Sequence, residues 1–464
     1  MRPLHYKIVI LLAILGSIAI PAVLSTRADI LRAEVALAEG RPLDARADFE
    51  HAATLLFWQD DLRERAGRAA FAGGDMSTTT RLLGQVQNLS VEGWSDLGAA
   101  YYQLGRFNES SNALQRGLAI HGPNARLFRG LALASNAQGD LESEITALKN
   151  YNTLDEPDAA IHHRLGLLLS VFDPGIALPE LMTSAKLDEA YDPAVQTMRS
   201  ALNLAGIQTD EADRLVVIGR GLGLVQEWQL AREAFRRAVS ADAGNAEAWA
   251  WLGEAKQHLG QDGGEELAHA EVLEPFSSNV RALYGLYWKR QGDPQKALAQ
   301  FQWAAAIEPK NPAFLVSLAD AYVFAGELPQ ALAAYVSAAE LAPTERIYWR
   351  MLALFTAQYS FQVVEVGIPA AQRVLALNPD EASSYDLLGW LYLAANNTGL
   401  AEDTLLTALR LDPEYAPAHL HLGMTYLEMN QLDDARPHLL RAQSLDPEGA
   451  QGQQAEQLLE LYFP

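Results

Sequence analysis

The sequence predicts an all-α solenoid of helix-turn-helix repeats, preceded by one membrane-spanning helix. Three observations carry this expectation. Prolines recur at a fixed step: Pro275, Pro309 and Pro343 lie 34 residues apart, Pro379 follows after 36, and Pro413 and Pro447 resume at 34. Small residues recur in phase with them, at Gly285, Ala319, Gly389 and Gly423. Residues 8–24 read IVILLAILGSIAIPAVL and carry no charge. A constant period of this length is the mark of a helical repeat array, whose units bury a core only by stacking.

The elements follow in chain order. Residues 1–26 form a cytoplasmic N-terminus and a signal anchor. The apolar run is about the minimum length for a spanning helix, and Arg2 and Lys7 ahead of it keep the N-terminus in the cytoplasm and deliver the rest outside. Cleavage after Ser25 would instead release a secreted or periplasmic chain. Residues 27–90 hold degenerate helical repeats, with half-matches at Ala45, Phe49 and Ala52. Residues 91–193 form a first block of repeats. One unit carries Trp94, Leu97, Gly98, Tyr101 and Gly105, and the next carries Phe128, Leu131, Ala132 and Gly139. Residues 170–179 (SVFDPGIALP) interrupt it with two prolines. Residues 194–211 are a joint with one extra helix. Residues 212–449 form a second block, and residues 450–464 a terminal helix that covers the last open face through Leu458, Leu459, Leu461, Tyr462 and Phe463.

Within a unit each position has a physical role. Glycine or alanine at position eight, and alanine at positions twenty and twenty-seven, let two helices approach. Large residues at positions four, eleven and twenty-four fill the remaining space. Gly105, Gly139, Gly260, Gly292 and Gly326 fall where the first helix must stop, which suits a left-handed cap. Proline closes the unit because it cannot continue a helix interior. The unit around Trp349 lacks the turn glycine and carries two additional residues, and the one begun at Ala246 is short.

The pattern aromatic–x2–Leu–Gly–x2–Tyr, then Ala–x3–Phe/Leu–x2–Ala, then Pro, resembles the tetratricopeptide repeat family from Val91 to Pro447. The resemblance implies a right-handed superhelix that binds other proteins. It also implies a concave face lined by positions two, five, nine and twelve of each first helix. Carried onto this chain, those positions include Val316, Asp320, Val323, Asp386, Trp390, Leu393, Leu420, Met424 and Leu427. They make an apolar strip with acidic points, suited to an apolar or basic protein segment. The lysine and asparagine with which some family members grip terminal carboxylates are absent there. Tyr102 and Arg129 offer a second such surface in the first block.

Composition narrows the function. The formal net charge is −23, and from Asp380 onward 14 acidic residues face three arginines and no lysine. This opposes nucleic-acid binding, which needs clustered cations. The chain has no cysteine, which removes thiol chemistry and Cys-ligated metals. His162-His163 and His419-x-His421 do not share a helix face as a chelate would. No phosphate loop, zinc-helix or nucleophile-elbow motif occurs. No catalytic residue, metal or cofactor is therefore expected. The expectation is a membrane-anchored scaffold outside the cytoplasm that holds an envelope assembly together. A structural subunit of a membrane complex, a secreted adaptor and an accessory to a maturation or export enzyme remain as alternatives.

Overall fold

The computed structural model describes residues 25–154 and 157–464, which are helical with no strand among them. The expected anchor at residues 8–24 lies outside the described residues, and no helix within them is long and apolar enough to cross a membrane. In chain order the helices are α1 (25–38), α2 (Pro42–Leu55), α3 (Asp60–Ala72), α4 (Met76–Leu83), α5 (Val91–Gln103), α6 (Phe107–His121), α7 (Ala125–Gln138), α8 (Leu141–Asn152), α9 (Ala159–Phe172), α10 (Ala177–Leu187), α11 (Asp192–Gly206), α12 (Glu211–Leu224) and α13 (Trp228–Ala241). There follow α14 (Ala246–His258), α15 (Gly264–Leu273), α16 (Ser278–Arg290), α17 (Pro294–Ile307), α18 (Pro312–Phe324), α19 (Leu328–Leu341), α20 (Arg346–Gln358), α21 (Ile368–Leu377), α22 (Ala382–Ala394), α23 (Thr398–Leu411), α24 (Ala416–Glu428), α25 (Leu432–Leu445) and α26 (Ala450–Tyr462). The chain forms two compact units. The described residues up to Gln208, with Val217–Leu230, make the first, and Thr209–Val216 with Ala231–Pro464 make the second.

The first unit is a series of hairpins. α1 and α2 run antiparallel, with His51 Nδ1 2.8 Å from Asp29 and Arg32 donating to Asp48 at 3.1 Å. α5 starts at Ser90, whose hydroxyl accepts from the Gly93 amide and so satisfies one of the free N–H groups of the first turn. Its Gly98 lies against Leu114, and Ser110 donates to the Gly98 carbonyl at 2.7 Å. α9 and α10 are joined by a 3-10 turn, Pro174–Ile176, opened by the first of the two interrupting prolines, while the second, Pro179, is taken into the first turn of α10. Buried Glu144 on α8 accepts both prongs of Arg164 from α9, at 2.7 and 3.0 Å.

In the second unit, side-chain caps begin α16 at Ser277, α17 at Asp293 and α18 at Asn311. Alanines at the repeated small positions, such as Ala297, Ala304, Ala331, Ala338, Ala401 and Ala408, are wholly buried. Each ruler proline sits two residues past a second helix, as Pro309 does after α17 and Pro413 after α23. The predicted turn glycines all adopt positive φ, from Gly260 at 70° to Gly326 at 79°. In later repeats Ser360, Asn396 and Asn430 hold the same place, with φ of 47°, 57° and 56°. The additional residues before Pro379 are taken up by Gln362, also at positive φ, and a π-helical turn, Val363–Gly367. The short repeat has a short second helix, α15, of 10 residues. Arg290 on α16 reaches back to the buried Glu254 on α14 with two hydrogen bonds, at 2.5 and 2.7 Å.

α26 closes the second unit. Leu458, Leu459 and Phe463 pack against Leu420, Leu439 and Ala455, whereas Leu461 and Tyr462 stay exposed.

Candidate binding groove

Hydrophobic side chains and helix spacing together build one open groove in the second unit. The first helices α16 and α18 pack on each other, as do α20 with α22 and α22 with α24. Between α18 and α20 the packing is sparser, and a groove of about 580 Å³ opens there. Its lining comes from four helices and the end of the last: Lys289 on α16, Asp320, Val323 and Phe324 on α18, Tyr335 on α19, Met351, Leu354, Phe355 and Gln358 on α20, and Tyr359 just past it.

The floor is aromatic and rigid. The Tyr335 and Phe355 rings lie 5.2 Å apart, and Phe355 meets Tyr359 at 5.4 Å. The Tyr335 hydroxyl donates to Asp320 Oδ1, which fixes the carboxylate at the groove wall. Burial, then that hydrogen bond, pushes the Tyr335 phenol far above its usual range, so it stays a donor at any physiological pH. Lys289 is an exposed cation at the rim, opposite in sign to Asp320. Such a surface can hold an extended or helical segment by apolar contact and orient it by its charges.

Of the nine residues expected to line the binding face, Asp320 and Val323 lie in this groove. Val316 is buried in the core cluster with Ala319 and Tyr335. Asp386 and His421 are buried together, hydrogen-bonded at 2.7 Å, and Trp390 stacks on the His421 ring. Leu393 and Leu420 are buried, and Met424 and Leu427 pack with Leu458, Leu459 and Phe463 of α26. These last residues face the terminal helix because it takes the place that a further repeat would occupy. Tyr102 and Arg129 line a smaller depression of about 220 Å³ in the first unit, where Arg129 pairs with Asp158 at 3.3 Å.

The sequence reading passed over Lys289 and Leu354, although both share register with chosen residues. Lys289 is 34 positions before Val323, and Leu354 is 34 after Asp320. The missing turn glycine of the Trp349 repeat hid that phase. Among the described residues no group of three or more histidine, aspartate or glutamate side chains is placed to hold a metal ion.

Tetratricopeptide repeat profiles match residues 95–159, 225–280, 290–355, 352–416 and 387–450, together more than half the chain. The chain belongs to the tetratricopeptide repeat family. No curated protein matches it. Among solved structures, the repeat protein is similar to MamA (residues 41 to the end) from Desulfovibrio magneticus RS-1, with 22% identity and a TM-score of 0.32 over 37% of this chain and 95% of that one. It is similar to yeast Tom70 at 14% identity and a TM-score of 0.39, over 94% of this chain and 95% of that one. It is also similar to YrrB, described as having an unusual peptide-binding site, at 16% identity and a TM-score of 0.31, over 41% and 97%.

Proposed function

We propose that this protein is a membrane-anchored scaffold outside the cytoplasm, which holds an apolar segment of a partner protein in the groove between α18 and α20. The carrying observation is the groove itself: an aromatic floor, half-buried Met351 and Leu354, and the oppositely charged Lys289 and Asp320. Apolar side chains supply contact area, and the two charges favour one orientation of the bound segment. The uncharged run at residues 8–24, with Arg2 and Lys7 before it, supports attachment and orientation in a membrane.

Two measurements test the reading. Full-length protein extracted in mild detergent should retain its partners, and Leu354→Arg should weaken retention about thirtyfold, the equivalent of losing a central anchor worth about 2 kcal/mol. Equal retention by a normally folded Leu354→Arg protein would move the binding surface elsewhere. For the anchor, the protein should remain in the membrane pellet after carbonate washing. A soluble mature chain beginning near Thr26 would replace this reading with the secreted adaptor.

A further inference from the structure

The turn between α2 and α3 exposes two large aromatic side chains side by side. Phe57 is 69% exposed and Trp58 63%, and their rings meet edge to face at 5.1 Å. The next residue back, Leu56, is buried with Ala52, Ala53 and Leu62 against Ile30 of α1. The aromatic pair is thus held at the tip of a fixed hairpin, with its backbone set by a packed neighbour.

The position of that tip follows from the register of α1 on α2. Asp29 meets His51, and Arg32 meets Asp48, so each step back along α1 is a step forward along α2. Continued to residue 25, the first described residue, the register sets it opposite residue 55. Phe57 and Trp58 therefore lie at the end of the hairpin where the chain arrives from the apolar run at residues 8–24. The opposite end, at the Gly40 turn, lies about 20 Å away by the rise of a helix of this length.

We propose that Phe57 and Trp58 seat in the interfacial layer of the bilayer entered by residues 8–24, and so fix the first hairpin upright on the membrane. The inference rests on the reading of residues 8–24 as an anchor. Tryptophan and phenylalanine suit this layer because their rings are apolar, and the indole N–H still finds polar partners among headgroups. The lipid chemistry is specified by the flanking charges. Asp60 and Asp61 follow at once, on the first turn of α3, and Asp60 is paired with Arg63 at 3.0 Å. Asp60 is thus offset by Arg63, and Asp61 by the exposed Arg27 at the same end of the hairpin, so the charges beside the aromatics balance and the fitting partner is a zwitterionic interface.

The absence of cysteine makes the test clean. Full-length protein is reconstituted in phosphatidylcholine vesicles carrying a spin quencher near the headgroup end of the acyl chain for labels outside residues 8–24, and at the methyl end of the chain for the label within them. A small fluorophore is placed on a single cysteine at Gln59→Cys, Leu37→Cys or Leu15→Cys. The Gln59 label should be quenched at least about twofold more than the Leu37 label, as befits a tip about 5–10 Å into the headgroup boundary. That excess should vanish in a Phe57→Ser/Trp58→Ser background, while the Leu15 label stays quenched. Both aromatics are exposed, so the double variant should fold, and unchanged helical content verifies this. Equal quenching at Gln59 and Leu37, or an excess that survives the double substitution, overturns the proposal while a quenched Leu15 label leaves the anchor intact. An unquenched Leu15 label removes the anchor and the proposal with it.

Discussion

His421 on α24 hydrogen-bonds Asp386 on α22 at 2.7 Å, while its ring lies 4.8 Å from that of Trp390 and within 13° of its plane. One imidazole thus completes a polar contact and a stacking contact across two successive repeats. Both members of the polar pair are buried. Replacing His421 by leucine leaves the Asp386 carboxyl enclosed without its partner, which should cost about 3–5 kcal/mol of stability. Asp386→Leu/His421→Leu should recover most of that loss, because no charged group is then stranded. Trp390→Ala should also lower stability, by removing the stack. Chemical denaturation of the four proteins checks all three expectations.

The glycines at position eight should not tolerate even a methyl group. A Cβ on Gly285 would stand 2.7 Å from Phe301 Cε2, and one on Gly423 would stand 2.7 Å from Leu439 Cδ2. Phe301 and Leu439 are themselves buried, so neither can swing aside. Gly285→Ala should therefore destabilise the protein by about 1–3 kcal/mol, and the larger Gly389→Leu by more. Thermal unfolding of the variants measures the effect, and an unchanged midpoint would contradict this packing.

The turn positions separate conformational cost from crowding. A Cβ on Gly326 would meet nothing within 4 Å, yet its φ is 79°. Gly326→Ala should still cost about 1–2 kcal/mol, since an L side chain disfavours this conformation. In the reverse direction Ser360, at φ 47°, is already strained. Ser360→Gly should stabilise the protein by about 0.5–1 kcal/mol, read from the denaturant midpoint.

Acidification should weaken the last repeats. Burial holds both His419 and His438 below the ordinary histidine range, and each is opposed by a neighbouring positive group, Arg441 for His419 and His419 for His438. Their Nδ1 atoms are 2.9 Å apart, and His419 Nε2 faces the Pro413 carbonyl at 3.1 Å. The Pro413 carbonyl, then Asp412, partly offsets the shift of His419, and Asp434 that of His438. Because the unfolded chain takes up protons first, stability is fully present above about pH 6.5 and declines as pH falls through that value toward the folded-state pKa. The melting temperature should drop on acidification, and His419→Gln/His438→Gln should drop less. Parallel pH profiles for the two proteins would refute this assignment.

The repeat frame was legible in the sequence because its markers are residues with few options. Proline is disfavoured inside a helix, and every ruler proline lies two residues past one, although Pro437 is accommodated within α25. Glycine at a turn announces itself by its freedom at positive φ. Asn396 and Asn430 carry a weaker form of that signature, since asparagine tolerates the left-handed conformation, whereas Ser360 and Gln226 take it without one, held there by the helices on either side. The groove was only partly legible. Asp320 and Val323 follow from register, but the opening depends on the separation of α18 and α20, which no single side chain records. The burial of Leu420, and the packing of Met424 and Leu427 with α26, arise from the end of the array, where residue identity is unchanged and only the neighbour differs.

The polar pairs that join successive repeats around a buried carboxylate bear on how the array comes apart. A stack of hairpins with only apolar seams can fray from its end one hairpin at a time, each detachment opposed only by the exposure of apolar surface to water. Glu254 with Arg290, and Asp386 with His421, interrupt that sequence of events. An unravelling front advancing from α26 would reach α24 and, on peeling it away, leave Asp386 without its imidazole partner in the face still folded. Detaching α24 must therefore break a directional hydrogen bond as well as uncover apolar surface, so this seam parts less readily than an apolar one of the same area.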